Sequence, residues 1–355
     1  MRVMMLDGGD RTPYLSRLVM RLAARGFTMH YAGDPRYKDF EALGAAGVQC
    51  HAVEIRHKLD FRTRREIRAL LETHGIEIVH TITSRDAYAG IKARGRQPVK
   101  VVMRRGAYAP ISRWNPADRV TYGRGGADVV IAVSHDLRDH IVRQGIASTR
   151  VQQVYTGIWS PELEIEQRDL RAAHGIGPDT LLLGYVGNDR HVKGFDVLVA
   201  AMEELARRGV DAHILVAGEN YDRTKEYPSN MTLVGFIDGI MGFTPNLDAF
   251  VIPSRIDALP RAVIEATVVG TPVIGTAVGG IPEILDEGKG GVLVPPEDAT
   301  ALAAAIEEAS RDREALAAKA AHALERNRGL FDLDRCAAVH EGIYRGLGEV
   351  GEGGS

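Results

Sequence analysis

The sequence predicts an α/β protein of two doubly wound halves, each a parallel sheet with helices on both faces. Three observations carry that expectation. Short apolar runs bounded by turn residues alternate with longer amphipathic segments along most of the 355 residues. The alternation breaks once, between Trp159 and Gly177, where the chain is charged and aperiodic and carries Pro161, with Pro178 just beyond. Thirty-nine glycines are many, and in an α/β protein they belong at strand-to-helix turns and helix ends. The length suits two domains at roughly 100–200 residues each. The expected division is 1–160 and 178–330, with a helix over 333–350 joining the first domain.

The first strand is Arg2–Leu6, and Asp7-Gly8-Gly9-Asp10 turns the chain. Thr12 and Pro13 read as a cap and first-turn pair. Leu15, Leu18, Val19 and Leu22 form the buried stripe of the first helix, which Gly26 stops. A glycine-rich turn opening a helix can close on a phosphate, so Gly9 is a candidate ligand contact. A plain tight turn explains it equally well. G-x-G-x-x-G is absent, which leaves a dinucleotide fingerprint unsupported. Strands follow at Thr28–Tyr31, Val48–Val53, Ile76–His80, Val99–Met103, Val129–Val133 and Val151–Tyr155. Helices intervene near Phe40–Ala46 and Arg62–Thr73, and a third is capped by Ser134 and ended by Gly145.

The second half repeats the pattern. Strands are expected at Leu181–Val186, Ala212–Ala217, Met231–Val234, Ala249–Ile252, Val273–Gly275 and Gly291–Val294. The helix Phe195–Arg208 carries Phe195, Leu198, Val199, Met202 and Leu205 on one face and ends at Gly209. Helices over Ala301–Glu325 and Leu333–Tyr344 close the chain, and its last eight residues, GEVGEGGS, read as disordered.

Composition narrows the function. A hydrophobic share of 45% with 26% charged residues is that of a soluble globular protein. A net charge of −3 excludes a globally basic nucleic-acid binder. Cys50 and Cys336 are too few for a disulfide framework or a cysteine metal cluster, which points to a reducing cytoplasm. The opening MRVMML is too short for a signal peptide or a membrane span.

The stretch from Pro253 to Glu283 carries the chemistry. Asp257 and Glu265 stand eight positions apart, joined by a loop that turns into a helix. Pro260 suits the first helical turn, and Gly270 the left-handed stop. Asp257 then lies just before the helix and Glu265 about two turns in, at roughly 3.6 residues per turn. Backbone N–H groups at Ala258 and Leu259 face whatever lies at the helix N-terminus, which favours an anion. An anion flanked by hydroxyls describes a nucleotide diphosphate sugar. The bland alternative is that Asp257 caps the helix and Glu265 is a solvated face residue.

This stretch resembles the donor-binding signature of the retaining GT-B glycosyltransferases of family four, the group 1 glycosyl transferases. Pro253, Ser254, Pro260, Glu265, Ala266, Gly270, Pro272, Val273, Gly279, Gly280 and Glu283 match that pattern. Asp257 stands in place of the family's first Glu, and Ala258-Leu259 in place of its Gly-Phe. The turn Gly184–Gly194 is similar to the family's phosphate loop at Gly187, Lys193 and Gly194, with Asn188 where the family has Arg and Arg190 two residues on. Arg105, at a strand end, aligns best with a family His facing the donor sugar.

The resemblance implies two Rossmann-like domains facing across a deep cleft, with the last helix returning to the first domain and the Gly9 loop near the donor phosphates. It implies a metal-independent enzyme with no cofactor, whose substrate is a nucleotide diphosphate sugar, a UDP-sugar favoured over a GDP-sugar. Catalysis would rest on Lys193, Asp257 and Arg105. Donor contacts would come from Gly9, Asn188, Arg190, Lys193, Ala258, Leu259 and Glu265, the last on the ribose. The acceptor would be a glycan or lipid-linked, as in bacterial polysaccharide or lipopolysaccharide synthesis. No histidine or acid pair has metal-ligand spacing, and His80 and His135 read as structural. Thirteen Lys and Arg against six acids between His51 and Arg105, all the basic ones from position 56 on, read equally as a solvated face or as a patch for anionic lipid on the inner membrane surface. Two rivals remain: a non-hydrolysing sugar-nucleotide epimerase and a non-catalytic nucleotide-sugar sensor.

Overall fold

Val3, Met4, Met5 and Leu6 are all fully buried, because the strand they form is covered on both faces. The computed structural model describes residues 1–355 apart from 10–12, 38, 56, 58–59, 162–167, 223, 238 and 353–355. The expected Thr12 cap lies outside the described residues. The chain divides into two units, Met1–Gly157 with Leu333–Ser355, and Ile158–Asp332.

In unit 1 the order is β1 (Arg2–Asp7), α1 (Pro13–Ala24), β2 (Thr28–Gly33), α2 (Phe40–Ala45), β3 (Gln49–Ala52), α3 (Phe61–Thr73), β4 (Ile78–Thr81), α4 (Ser84–Arg94), β5 (Lys100–Arg105), α5 (Pro116–Tyr122), β6 (Val129–Ala132), α6 (His135–Arg143) and β7 (Val151–Gln153). Unit 2 holds α7 (Leu170–His174), β8 (Leu181–Gly187), α8 (Phe195–Arg208), β9 (Ala212–Gly218), β10 (Met231–Gly235), α9 (Ile240–Phe243), β11 (Ala249–Ile252), α10 (Arg261–Val268), β12 (Val273–Thr276), α11 (Ile281–Ile284), β13 (Val292–Val294), α12 (Ala299–Arg311) and α13 (Arg313–Leu330). The last helix, α14 (Leu333–Glu352), returns to unit 1.

Both sheets are parallel. Unit 1 has seven strands in the order β3-β2-β1-β4-β5-β6-β7, and unit 2 has six in the order β10-β9-β8-β11-β12-β13. Alternate residues of β1 feed two cores. Val3 and Met5 pack with Leu15, Leu22, Ala337 and Tyr344 of α1 and α14, while Met4 and Leu6 pack with Ile67, Leu71 and Ala89 of α3 and α4. In unit 2, Leu198, Met202 and Leu205 of α8 meet Leu302 and Ile306 of α12 over β8 and β9.

Five expectations are corrected. The stretch read as linker contains α7, capped by Asp169 through the Ala172 N–H at 3.0 Å. The helix expected over Ala301–Glu325 is two helices, because Asp312 leaves helical geometry (φ −129°, ψ 74°) to cap α13 through Ala315. The described part of the tail, through Glu352, is helical. Pro260 is the cap residue of α10 and not its first turn (φ −68°, ψ 113°), which leaves Glu265 little more than one turn in. Finally, α4, α5 and the short α9 and α11 were not foreseen. A reciprocal box caps α4, in which the Thr83 side chain accepts from the Asp86 N–H and the Asp86 carboxylate from the Thr83 N–H.

Candidate active site

Unit 2 reverses its strand order between β8 and β11, and doubly wound sheets bind ligands outside the strand C-termini at such a reversal. The two loops that leave these strands carry the candidate residues. After β8 the chain runs through Asn188 and Arg190 into a single 3-10 turn, His191–Lys193. Gly194 then adopts a left-handed conformation (φ +67°), and a Cβ there would collide with the Pro253 carbonyl oxygen. Only glycine allows this close approach of the two loops.

Lys193 and Asp257 meet across this junction, Nζ to Oδ2 at 2.7 Å, with side chains 27% and 14% exposed. Asp257 therefore does not cap α10, whose cap Pro260 receives no side-chain bond. Among the described residues, the N–H groups of Ala258 and Leu259 donate to no protein acceptor, whereas Val263 and Ile264 already donate to the Pro260 carbonyl. The mouth of α10 thus presents two amides beside an ammonium and a carboxylate. Glu265 lies half-buried on α10.

The Asn188 side chain bonds within its own loop. Its side-chain oxygen accepts from the Arg190 N–H at 3.2 Å, and its carbonyl accepts from the Tyr185 hydroxyl. Arg190 is exposed, and its guanidinium makes no hydrogen bond or ion pair among the described residues.

Sequence reasoning missed Arg255. It donates through both terminal nitrogens to Asp196 at 2.7 Å, through Nη1 to the His191 carbonyl at 2.8 Å and through Nε to Glu297 at 3.2 Å, while its backbone N–H donates to the Val192 carbonyl. That clamp ties the Lys193 loop to the Asp257 loop. The hydrogen bond from Arg255 holds the Asp196 carboxyl below its ordinary range. Its available signal was an arginine inside the Pro253–Asp257 loop with no apolar period to serve. The Thr276 hydroxyl braces the same loop on the Ser254 carbonyl at 2.6 Å, and Gly280 approaches the Ala258 carbonyl too closely to admit a Cβ.

In unit 1 the reversal falls between β1 and β4. Gly9 follows β1 with φ +117°, and its N–H donates to Asp7 Oδ1 at 2.9 Å. Arg105 is the residue expected to face the donor sugar. It is buried, and its guanidinium donates to the Tyr122 hydroxyl and to the carbonyls of Ala107 and Ala109, bracing the loop after β5. His80 is buried with Nδ1 2.6 Å from the Tyr344 hydroxyl, and burial holds its pKa well below the ordinary value. His135 is exposed at the start of α6, its ring edge-on to Tyr155. Several of the thirteen basic residues serve the fold. Arg94 pairs with Asp128 at 3.0 Å, Arg68 donates to the Ala93 carbonyl, and Arg85 to that of Gly8. Among the described residues no helix is long and apolar enough to cross a membrane.

Two parallel doubly wound units, one with an ammonium, a carboxylate and two amides at its strand-order reversal, define an α/β protein of the GT-B type. Residues 13–158 match the family model Glycosyltransferase Family 4, and residues 166–327 match Glycosyl transferases group 1. The chain belongs to these glycosyltransferases. It is 25% identical over 256 residues to alpha-D-kanosaminyltransferase of Streptomyces kanamyceticus, covering 67% of this chain and 64% of that protein. It is 26% identical over 241 residues to the lipopolysaccharide core mannosyltransferase LpsB of Rhizobium meliloti, covering 62% and 66%. The chain thus spans a little under two thirds of the length of these curated relatives. Anabaena HepE, solved in complex with UDP, shares the fold with a TM-score of 0.79 at 18% identity, over 97% of this chain and 100% of that one.

Proposed function

We propose that this protein is a retaining, metal-independent glycosyltransferase that moves a sugar from a UDP-sugar to a glycan or lipid-linked acceptor in bacterial surface polysaccharide or lipopolysaccharide synthesis. The observation that carries the reading is the mouth of α10, where Ala258 and Leu259 present free amides beside the Lys193–Asp257 pair. An ammonium has three donors, so Lys193 can hold Asp257 with one and diphosphate oxygens with the others. Arg190 is the second cation this arrangement favours, because Arg105 is committed to its own loop. Glu265 takes the ribose hydroxyls, and Asp257 a hydroxyl of the donor sugar.

The chemistry then rests on stabilising the leaving group. The acceptor oxygen bonds to the anomeric carbon on the face the diphosphate leaves. The anomeric carbon–oxygen bond to phosphate breaks, and the acceptor proton passes to the departing phosphate oxygen. Such a course asks for no protein base. Charge on the diphosphate is met by Lys193, Arg190 and the α10 amides, which supplies locally what a metal ion supplies elsewhere. Support for uridine comes from HepE, which is also solved with UDP-glucose, and support for a surface-glycan acceptor from LpsB.

The test is calorimetry with UDP, GDP and ADP, followed by product analysis with a labelled sugar of the preferred nucleotide, with and without lipopolysaccharide core acceptors. Binding of UDP and acceptor-dependent transfer with retained anomeric configuration are expected. Isomerised donor without acceptor would instead indicate an epimerase, and binding without any product a sensor.

A further inference from the structure

Unit 1 holds a side-chain cluster that donor chemistry does not use. In the parallel ladder of β2 and β3, His30 pairs with Gln49 and Ala32 with His51. His30 and His51 therefore project from one face, diagonal to each other. Helix α3 covers that face through Ile67 and Leu71, which pack with Ala32 and Val53. Its C-terminal cap residue is His74. The His74 ring centroid lies 4.9 Å from that of His30 and 4.8 Å from that of His51. His30 Nδ1 and His51 Nε2 are 3.0 Å apart, and one ring nitrogen from each of the three histidines lies within 4.8 Å of the others. No spacing in the sequence announces this set, because three separate elements supply one residue each.

We propose that His30, His51 and His74 form a binding site for a divalent transition metal of the Zn2+ kind. Imidazole nitrogen suits Zn2+, and three protein nitrogens with a fourth position open to water is a recurrent zinc arrangement. With bonds of about 2.0–2.1 Å, tetrahedral ligands stand about 3.4 Å apart. His30 and His51 are already near that separation, and a ring nitrogen of His74 lies within 4.8 Å of theirs. His30 is buried while His51 and His74 are half-buried, so the set is anchored on one side and reachable from the other. Burial and the two neighbouring rings hold His30 down at about 4, and burial lowers His51 as well, so both offer neutral ligands at physiological pH. The opposing charge is Arg2, whose guanidinium lies 3.8 Å from the Glu77 carboxylate that offsets it.

The location gives the site a role apart from catalysis. Strands run parallel and α3 runs back, so its C-terminal cap sits at the sheet end away from the loops that leave β1 and β4. β3 is an edge strand. A metal there would staple β3 to β2 and to the end of α3.

The experiment uses the tag-free full chain, stripped with chelator and titrated with Zn2+ in competition with a chromogenic chelator. One Zn2+ per chain is expected, with His51→Gln and His74→Gln each weakening binding by more than the roughly tenfold typical of losing an outer-shell partner. Zn2+ should also raise the parent's melting temperature and leave that of the double variant unchanged. On the unmutated chain, Zn2+ should protect His51 and His74 from diethyl pyrocarbonate, as mapped by mass spectrometry, so misfolding of a variant does not decide the outcome. Co2+ should give tetrahedral d–d bands in the parent alone. Absence of stoichiometric binding, or binding and protection that ignore these histidines, would overturn the proposal.

Discussion

Replacing Lys193 by methionine keeps an unbranched side chain and removes its charge. Two consequences of different size follow. The ion pair with Asp257 spans 2.7 Å between partly exposed groups. At an effective dielectric of about 20 the bare attraction is near 6 kcal/mol, but desolvation and side-chain ordering offset most of it. A net loss of about 1 kcal/mol is expected, a fall of roughly 2–4 °C in melting temperature. Ligand binding should suffer more. A hydrogen bond from a charged donor contributes about 1.5–3 kcal/mol, which is roughly a tenfold to hundredfold loss of UDP affinity. Uridine, lacking phosphates, should bind the variant as it binds the parent. The unpaired Asp257 would add repulsion, so Lys193→Met with Asp257→Asn should regain part of the loss. Calorimetry with UDP, UMP and uridine reads all of this. Equal weakening of uridine and UDP, or no change in either, would refute a phosphate role for Lys193.

Glu265→Gln should leave the melting temperature nearly unchanged and weaken ribonucleotides. If the variant still separates UDP from its 2′,3′-dideoxy form as sharply as the parent does, Glu265 is not the ribose ligand. Asp257→Asn should lower turnover while UDP binding barely changes, since a sugar contact matters most as charge develops on the ring; parental kcat in that variant would remove Asp257 from the chemistry. Acid should destabilise unit 1 through His340, which burial holds at about 4 against an ordinary value of 6.5. Its ring faces His80, Tyr344 and the Cys336 carbonyl, and Arg104 disfavours its charge further. The unfolded chain binds the extra proton, so stability is full above about pH 6.5 and falls toward pH 4, at up to about 1.4 kcal/mol per pH unit for this one group. Urea unfolding across that range should show a shallower decline for His340→Gln, and identical slopes would contradict the assignment.

The sequence was most legible where glycine punctuates. Helix α8 begins after Gly194 and ends before Gly209, both left-handed, and its expected limits match the observed ones. Legibility failed where apolar period is weak. Helix α4 is built largely of small residues, Ala87, Ala89, Gly90 and Ala93 among them, and Gly90 sits close against Val79 and Leu6, so no stripe of large side chains marks it. Its capping box at Thr83 and Asp86 was the better signal. Alanines on both sides of Asp312 simulated one long helix, and only cap geometry divides it. At the candidate site, the Lys193 turn and the Asp257 loop each carried a local signature. Their ion pair spans 64 residues, and nothing local encodes it. The same holds for Arg255, whose partners Asp196 and Glu297 lie in other elements.

The return of α14 to unit 1 sets an order of events during synthesis. The ribosome completes β1 to β7 first, yet Leu333, Ala337, Ile343 and Tyr344 belong to the same core as Leu15, Leu18 and Leu22. Unit 2 is contiguous, from Ile158 to Asp332, and has all its residues before that core has all of its own. At about 5–20 residues per second, the earlier unit waits many seconds with one apolar face uncovered. The half of the chain that is made first is therefore the half whose core is completed last.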